Sequence, residues 1–435
     1  MSEVANETLR ADAPVAAQGS VKRYGIWGAT AVLFLALPHI FTSGTALTMM
    51  SVMGIMIVFA LSYNMLLGQT GMLSFGHAVY YGLGGFLVVH AMNTVVQGRL
   101  PVPVALVPLV GGLAGLVFGF IFGSVSTRRG GTAFAMISLG LGELVASSAL
   151  ILRSFFGGEE GITTNRTKLL PLFGLNFGPQ MQVYYLIAAW CLLSMIAMYA
   201  ITRTPFGRMC NAVRDNPERA EFIGYSTQRV RFIAFCLSGV FAGIAGGLAA
   251  VNFEIVNSVS VAAGQSGIVL LMTYIGGVGN FAGPVLGAIL ITYLQVMLSD
   301  ATEVWQLYFG LLFIGMIMFA PGGIAGLLMM HQPLWRARVL HRVIPPYLLA
   351  LVPGLVTLAG VCLAIEMTFR LTVRASEGSA MFFLHVPLDA RSPLPWLVAA
   401  LLAGGGFWLF RRTWPIVANA WSAALAVARP VRPAT

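Results

Sequence analysis

The sequence predicts an all-α, polytopic membrane bundle of about ten core transmembrane helices followed by about two C-terminal ones. Three observations carry this. Of 435 residues, 58% are hydrophobic and 9% charged, with a mean hydropathy of +0.84, whereas soluble domains carry about 25% charged residues. The apolar residues fall in long continuous runs, not in alternating ten-residue segments. Lipid offers backbone groups no partner, so helices rather than a barrel must span it. Finally, the arginines gather at the ends of the apolar runs, as the positive-inside rule expects.

The elements follow in order. Residues 1–24 form a polar N-terminal tail. The run 25–42 follows Lys22 and Arg23; it is too long and too far from the start for a cleaved signal peptide, so it reads as an uncleaved first span. Runs 46–67 and 76–96 flank a glycine-rich interruption, LLGQTGMLSFGHAVYYGLGGF. Run 102–126 carries Gly115, Gly119 and Gly123, and run 131–152 carries Glu143. Run 181–202 precedes the longest charged segment, 203–231. Run 230–251 carries Gly239, Gly243 and Gly247. Run 265–279 is short, about 20 Å as a helix against a hydrocarbon core of roughly 30 Å. Runs 281–299 and 303–325 complete a core over 25–328. A C-terminal extension, 329–435, adds 346–368, with Glu366 near its end, and 394–411.

With the N-terminus in the cytoplasm and strict alternation, 18 of the 25 basic residues fall inside. The exceptions are Arg99, Arg153, Arg166, Lys168, Arg370, Arg374 and Arg391. If 265–279 dipped in without crossing, the count would drop to 14 inside and 11 outside, so charge favours a crossing by a broken helix. Both termini are then cytoplasmic.

Glycines four apart share a helix face and let backbones approach where lipid supplies no hydrophobic drive. They serve packing inside one bundle or pairing between subunits. A weak internal echo relates Gly68-Gln69-Thr70-Gly71 to Gly276-Gly277-Val278-Gly279; glycine-interrupted segments in corresponding halves of transporters point to the solute site.

Polar residues inside the apolar runs need a reason. Glu143 is costly at mid-span, so it lines a path or gate, or it is a structural carboxylate bonded to Ser138 or Ser147. Asn64, Gln69, Thr70, Ser74 and His77 surround the glycine-rich break. They cap helix ends, with Ser74 as an N-cap and Gly71 at positive φ, and the same groups can face a polar solute. In the segment 203–231, Asn216, Pro217 and Glu218 read as N-cap, N1 and N2 of a short helix that Gly224 ends. Ala220, Phe222 and Ile223 give it an apolar side. Because Asp215, Glu218 and Glu221 are mixed with arginines, docking on a soluble protein fits better than lying on a membrane.

Other classes find little support. The only lysines are Lys22 and Lys168, which argues against a nucleic-acid patch. The four cysteines make no CxxC, so neither a disulfide framework nor a metal site is expected. No GxxxxGK[ST], HExxH or GxSxG occurs, so the chain has no Walker A cradle for ATP and no positive sign of an enzyme.

Four segments, in order, carry a resemblance: LSYNMLLGQTGMLSFGHAVYYGLGGF, GRMCNAVRDNPERAEFIGYSTQRVRFIAFCLSGVFAGIAGGLAA, GGVGNFAGPVLGA and LLFIGMIMFAPGGIAGLL. Together, over about residues 45–328, they resemble the branched-chain amino acid permeases of bacterial ABC importers, the LivM type. The resemblance implies an inner-membrane subunit paired with a LivH-type permease, two cytoplasmic ATPase subunits and a periplasmic solute-binding protein. It places ATP and Mg on those partners, with no cofactor on this chain. It implies a coupling contact near Arg214, Asp215, Asn216, Glu218, Ala220 and Gly224, and it favours Gln69, Thr70 and Ser74 as lining the solute path. Related permeases carry branched-chain amino acids, urea, amides or aromatic acids. Two features depart from the pattern: the long N-terminal tail and the extension after about residue 328. The rival from another class, a self-sufficient secondary transporter or channel, needs a coupling-ion site among intramembrane acids, and the core offers little beyond Glu143.

Overall fold

The computed structural model describes residues 13–98, 102–170, 176–383 and 386–428. Residues 1–12 of the expected tail, and Arg10, Arg99, Arg429 and Arg432 of the charge count, lie outside the described residues. The apolar runs become helices: α1 Ala13–Ile40, α2 Gly44–Thr70, α3 Ala78–Val96, α4 Val107–Ser126, α5 Gly131–Ile151 and α6 Gln180–Arg203. The charged segment forms two short helices, α7 Pro205–Asp215 and α8 Pro217–Phe222. Then follow α9 Thr227–Phe253, α10 Ala263–Gly276, α11 Ala282–Ala301, α12 Trp305–Phe319, α13 Gly323–Arg336, α14 Ile344–Thr372 and α15 Pro393–Ala428. Among the described residues, nine helices are long and apolar enough to cross a membrane, and the bent pair α12–α13 makes a tenth. The first helix begins at Ala13, inside the segment read as a tail. The last runs 36 residues, well past the expected end at 411.

The chain divides into two compact units, and the division falls inside α11: residues 1–297 with 321–325, and residues 298–320 with 326–435. Helix α12, counted among the core spans above, therefore belongs to the second unit.

In the first unit α9 is the axis, buried along most of its length against α2, α3 and α4. Its contacts are made by absence of side chain. Gly111 and Gly115 of α4 face the backbone of Gly239 and Gly243, and a Cβ on Gly84 of α3 would lie 2.6 Å from Gly243 Cα. Helix α4 thus sorts its residues by size, not polarity: glycines face inward, while Leu113 and Phe120, each 61% exposed, face outward. The glycine rows are accounted for within the chain. Gly283 and Gly287 likewise pack α11 back on α10, with Gly287 against Met272 and Gly276, while Gly279 lies in the turn before α11.

Two interruptions shape this unit. At the end of α2, Gly71 takes φ +69°, its N–H bonds Leu67 O (3.2 Å), and the Met72 N–H bonds Leu66 O (3.1 Å). This is a left-handed glycine close, as the glycine's position predicts. The chain then turns back beside α2: Tyr63 Oη donates to Ser74 O (2.9 Å), and His77 Nε2 lies 3.0 Å from Ser62 Oγ. From residue 70 back to the level of residue 62 is about 12 Å at helical rise, so α3 starts inside the bundle. The second interruption follows α9. Residues 255–261 run in along α3, with Val256 against Gly85 and Ser260 against Gly82. Helix α10 then starts beside the first turn of α3, where the Ala78 N–H donates to Ser266 Oγ (2.9 Å). Its 14 residues reach about 21 Å and return the chain to the end where α2 stops. The segment therefore crosses, as an irregular half followed by a helical half.

At the far end of α9 the loop after α5 is fixed by strand β1 (Ile162–Thr163), paired antiparallel with β2 (Ile255–Val256). Arg166, one of the expected outer residues, donates to Phe177 O, Val251 O and Asn252 O.

In the second unit, α14 and α15 pack through Gly360 and Gly406, whose added Cβ atoms would collide with Ala403 N and lie 2.7 Å from Thr357 N. Glu366 Oε1 accepts from Thr302 Oγ1 (2.6 Å) and Tyr308 Oη (3.0 Å), and Arg374 pairs with Glu303. A hairpin of β3 (Ala380–Phe383) and β4 (Val386–Asp389) joins the two helices. In α15 the Arg412 guanidinium lies 4.0 Å from the Trp408 ring centroid, a pairing suited to a membrane interface.

Replacing Gly243 with valine is expected to cost about 1–3 kcal/mol or more, since a Cβ there meets Gly111 O and the backbone cannot yield. Gly140→Ala, with nothing within 4 Å of the added carbon, should be neutral. Thermal unfolding of the detergent-solubilised protein measures both; equal Tm values would refute the backbone-contact account.

Candidate functional site

The candidate site is the end of the first unit where α2 stops, α7 and α8 sit, and the α10–α11 turn returns. Gly130 marks the same end, since its added Cβ would lie 2.9 Å from Arg231 Cζ.

The break at 71–77 is held by side chains from distant helices. The Phe75 N–H donates to Ser138 Oγ of α5 (3.1 Å), and the Ala78 N–H donates to Ser266 Oγ of α10. The Ser62 hydroxyl already donates to Phe59 O (2.7 Å), so His77 Nε2 is the donor to Ser62 Oγ. Its ring stacks on Phe59 (5.6 Å) and meets Tyr63 edge-on (5.2 Å). His77 Nδ1, Ser74 Oγ and Gln69 Oε1 are enclosed polar atoms without a hydrogen-bond partner among the described residues.

The residues predicted for the path therefore separate. Asn64 is buried, and its Oδ1 accepts from Gly279 N (3.4 Å), so the two halves of the internal echo touch. Thr70 bonds back to Leu66 O (2.7 Å) within its own helix. Ser74 is not the N-cap of α3: the helix begins four residues later, after a turn at 75–77, and the cap position is His77 with no side-chain bond. The Ser74 carbonyl, not its hydroxyl, is the group employed. Glu143 lies apart on an exposed face of α5 and makes no hydrogen bond to Ser138 or Ser147 among the described residues. The structural-carboxylate alternative therefore fails.

The charged segment 203–231 folds as its caps predict. Asn216 Oδ1 accepts from Arg219 N (2.9 Å), Pro217 opens α8, and Gly224 leaves it at φ +91°. Thr204 caps α7 in the same way (3.4 Å), and Thr227 Oγ1 donates to Glu221 Oε1 (2.5 Å). Cys210, Val213, Ala220, Val230 and Ala234 form a small core joining α7, α8 and α9. Ala220 is thus inside and reaches no partner. The predicted apolar side is split: Phe222 is 91% and Ile223 65% exposed. Glu218, Asp215 and Arg214 are all exposed, and the Arg214 guanidinium reaches across to donate to Gly68 O at the end of α2.

Sequence reasoning did not find a cavity of about 190 Å³ lined by Tyr81, Gly82, Gly246, Ser260 and Gln265. The Tyr81 hydroxyl has no partner among the described residues. Serines and a glutamine next to small residues in apolar runs were the signal, but only the fold brings α3, α9 and residues 255–265 together. Among the described residues no three His, Cys, Asp or Glu side chains stand close enough to hold a metal ion.

A family model described as the permease component of branched-chain amino acid transport systems matches residues 45–321. The chain is 29% identical to the high-affinity branched-chain amino acid transport system permease protein LivM of Escherichia coli, over 69% of this chain and 74% of that one. It is 23% identical to LivH of the same organism, over 61% of this chain and 90% of that one. It is 30% identical to the fructose import permease protein FrcC of Rhizobium meliloti over 44% and 54% of the two chains. No solved structure matches.

Burial pushes the Cys210 thiol up to about 12, so it stays protonated at neutral pH and reacts poorly. Maleimide is expected to spare Cys210 in the folded protein and to modify a cysteine introduced by Phe222→Cys. Equal labelling in a mass-spectrometric assay would contradict the placement of α7 against α8 and α9.

Proposed function

The chain belongs to the permease-component family of branched-chain amino acid transport systems, and from that premise we propose that it forms half of an ATP-driven path for a branched-chain amino acid or a similar small polar solute. It is a multi-pass membrane protein and a permease subunit of an ABC importer. The similarity to both LivM and LivH supports pairing with a second, related permease. Two ATPase subunits, ATP and Mg on them, and a solute-binding protein complete the proposed assembly in the inner membrane. The concentration of arginines near α7 and α8 supports a cytoplasmic location for that end, and the charge count along the sequence supports cytoplasmic termini.

The observation that carries the reading is the Phe222–Ile223 knob. An exposed aromatic on a capped, cored helix is poorly placed in water and well suited to a groove on a partner. The chain lacks a phosphate-binding loop, so the energy must enter from outside, and this knob is where a soluble ATPase can grip. The Glu143 face supports the paired arrangement. A carboxylate at mid-span cannot rest against lipid without a cost of a few kcal/mol. With Gly140 and Ser147 on the same exposed face, it fits a surface covered by the second permease or lining the water-filled path between them. The Tyr81–Gln265 cavity is the proposed wall of that path, and the break residues Gln69, Thr70 and Ser74 its gate. The fructose permease among the relatives leaves room for other polar solutes of similar size.

Replacing Phe222 and Ile223 with aspartate should weaken ATPase association at least about tenfold, as expected for an apolar hot spot. Co-purification from membranes measures it, and full retention would refute the knob. Vesicles containing this chain alone should take up no leucine, while adding the second permease, ATPases, binding protein and ATP should start uptake. Uptake by the chain alone would instead establish a self-sufficient transporter.

A further inference from the structure

We infer that Arg214 is a positioning residue that ties the ATPase-docking helices to the two backbone breaks, so that the docking segment and the gate move as one. The inference rests on the permease reading above. Its support is a single junction. Helix α2 ends at Thr70, so the Gly68 carbonyl is one of the last-turn groups that has no helical donor. Arg214 supplies it. The guanidinium is always charged and presents several fixed donors, which suits the negative end of a helix.

The side chain reaches that carbonyl by lying across Gly71: a Cβ there would be 3.1 Å from Arg214 Cγ. Gly71 therefore does two things, closing the helix at positive φ and leaving a seat for the arginine. Asp215 Oδ1 accepts from Arg214 Nε (2.9 Å) and fixes the other edge of the guanidinium. The second break joins at the same place. Asn64 Oδ1 accepts from Gly279 N, an added Cβ on Gly68 would lie 3.1 Å from Gly279 N, and one on Gly279 would lie 3.8 Å from Arg214 Nη1. The two halves of the echo, Gly68–Gly71 and Gly276–Gly279, thus share one arginine.

Transmission runs through contacts already described. The knob at Phe222–Ile223 is fixed to α7 by the Cys210, Val213 and Ala220 core. The last turn of α7 carries Arg214. A displacement of α8 must then either pull on the end of α2 and the 277–281 turn or break the Arg214 contact. Arg214 was expected to touch the ATPase; its guanidinium is engaged by Gly68 O and Asp215, and under this inference the docking contact itself falls to α8.

The experiment uses the assembled transporter in proteoliposomes, with a reporter cysteine at Gln69→Cys and the reactivity of that thiol measured with and without ATP and vanadate. With Arg214 present, nucleotide should change the reactivity. In Arg214→Ala the ATPase subunits should still co-purify, and the nucleotide-dependent change should shrink about tenfold, within the usual range of coupling between sites. Arg214→Lys, which keeps a donor and a charge, should fall between. Loss of ATPase co-purification in Arg214→Ala would make the residue a docking contact and overturn the inference. So would an undiminished response, or a reporter that ignores nucleotide in the parent complex while the ATPases remain bound. Failure of the parent chain to hold ATPases at all would instead overturn the permease reading.

Discussion

A backbone inside a bilayer has nothing to bond with except itself, and the first unit leaves the helix at 71–77 and again between α9 and α10. Everything distinctive about the first unit follows from how those exposed groups are satisfied. At 71–77 the donors go to Ser138 and Ser266 and one carbonyl goes to Tyr63. Each partner lies on a different helix. The break is therefore not a local loop but the place where α2, α5 and α10 are held together. The serines in those apolar runs are required by the break, and the break can exist only in a fold that brings the serines to it.

Close approach is the second constraint. Lipid tails are as apolar as leucine, so helices gain nothing by burying leucines against one another in place of lipid. What remains is dispersion and proximity, and glycine supplies both. The α4–α9 and α3–α9 contacts place backbone against backbone. This brings α3, α4 and α9 close enough for residues 255–261 to pass along α3 and for α10 to begin deep inside. Without that closeness the second break would have no wall to run against.

These two constraints explain what could be read from the sequence. All twelve apolar runs became helices, because their length and composition suffice. The caps at Asn216, Gly224 and Gly71 were legible because each acts within a few residues of itself. The role given to Ser74 was not, because spacing alone cannot tell a cap from a segment that first runs extended beside α2. The direction of Arg214 was equally hidden. An arginine in a charged stretch reads as exposed, as this one is, but only the fold puts an unsatisfied carbonyl, 146 residues away in sequence, within its reach. The glycine rows were visible, but whether they faced this chain or another depended on which helices became neighbours.

The same satisfaction of groups governs how such a subunit can alternate between states. In the arrangement described, the backbone donors of the break that are named above have partners, while Gln69 Oε1, Ser74 Oγ and His77 Nδ1 do not. A second state that moves the break must re-pair the first set, or it carries the cost of buried unsatisfied groups, about 1–3 kcal/mol each. The second set offers acceptors ready for such re-pairing, or for a solute. Moving an equilibrium decisively needs several kcal/mol of differential binding between states. That is more than a small polar solute would be expected to supply here, and it is in the range that a nucleotide-driven partner gripping α8 can deliver. On the reading proposed above, a gate built from hydrogen-bonded breaks, rather than from a hinge between smooth helices, would hold shut until it is driven.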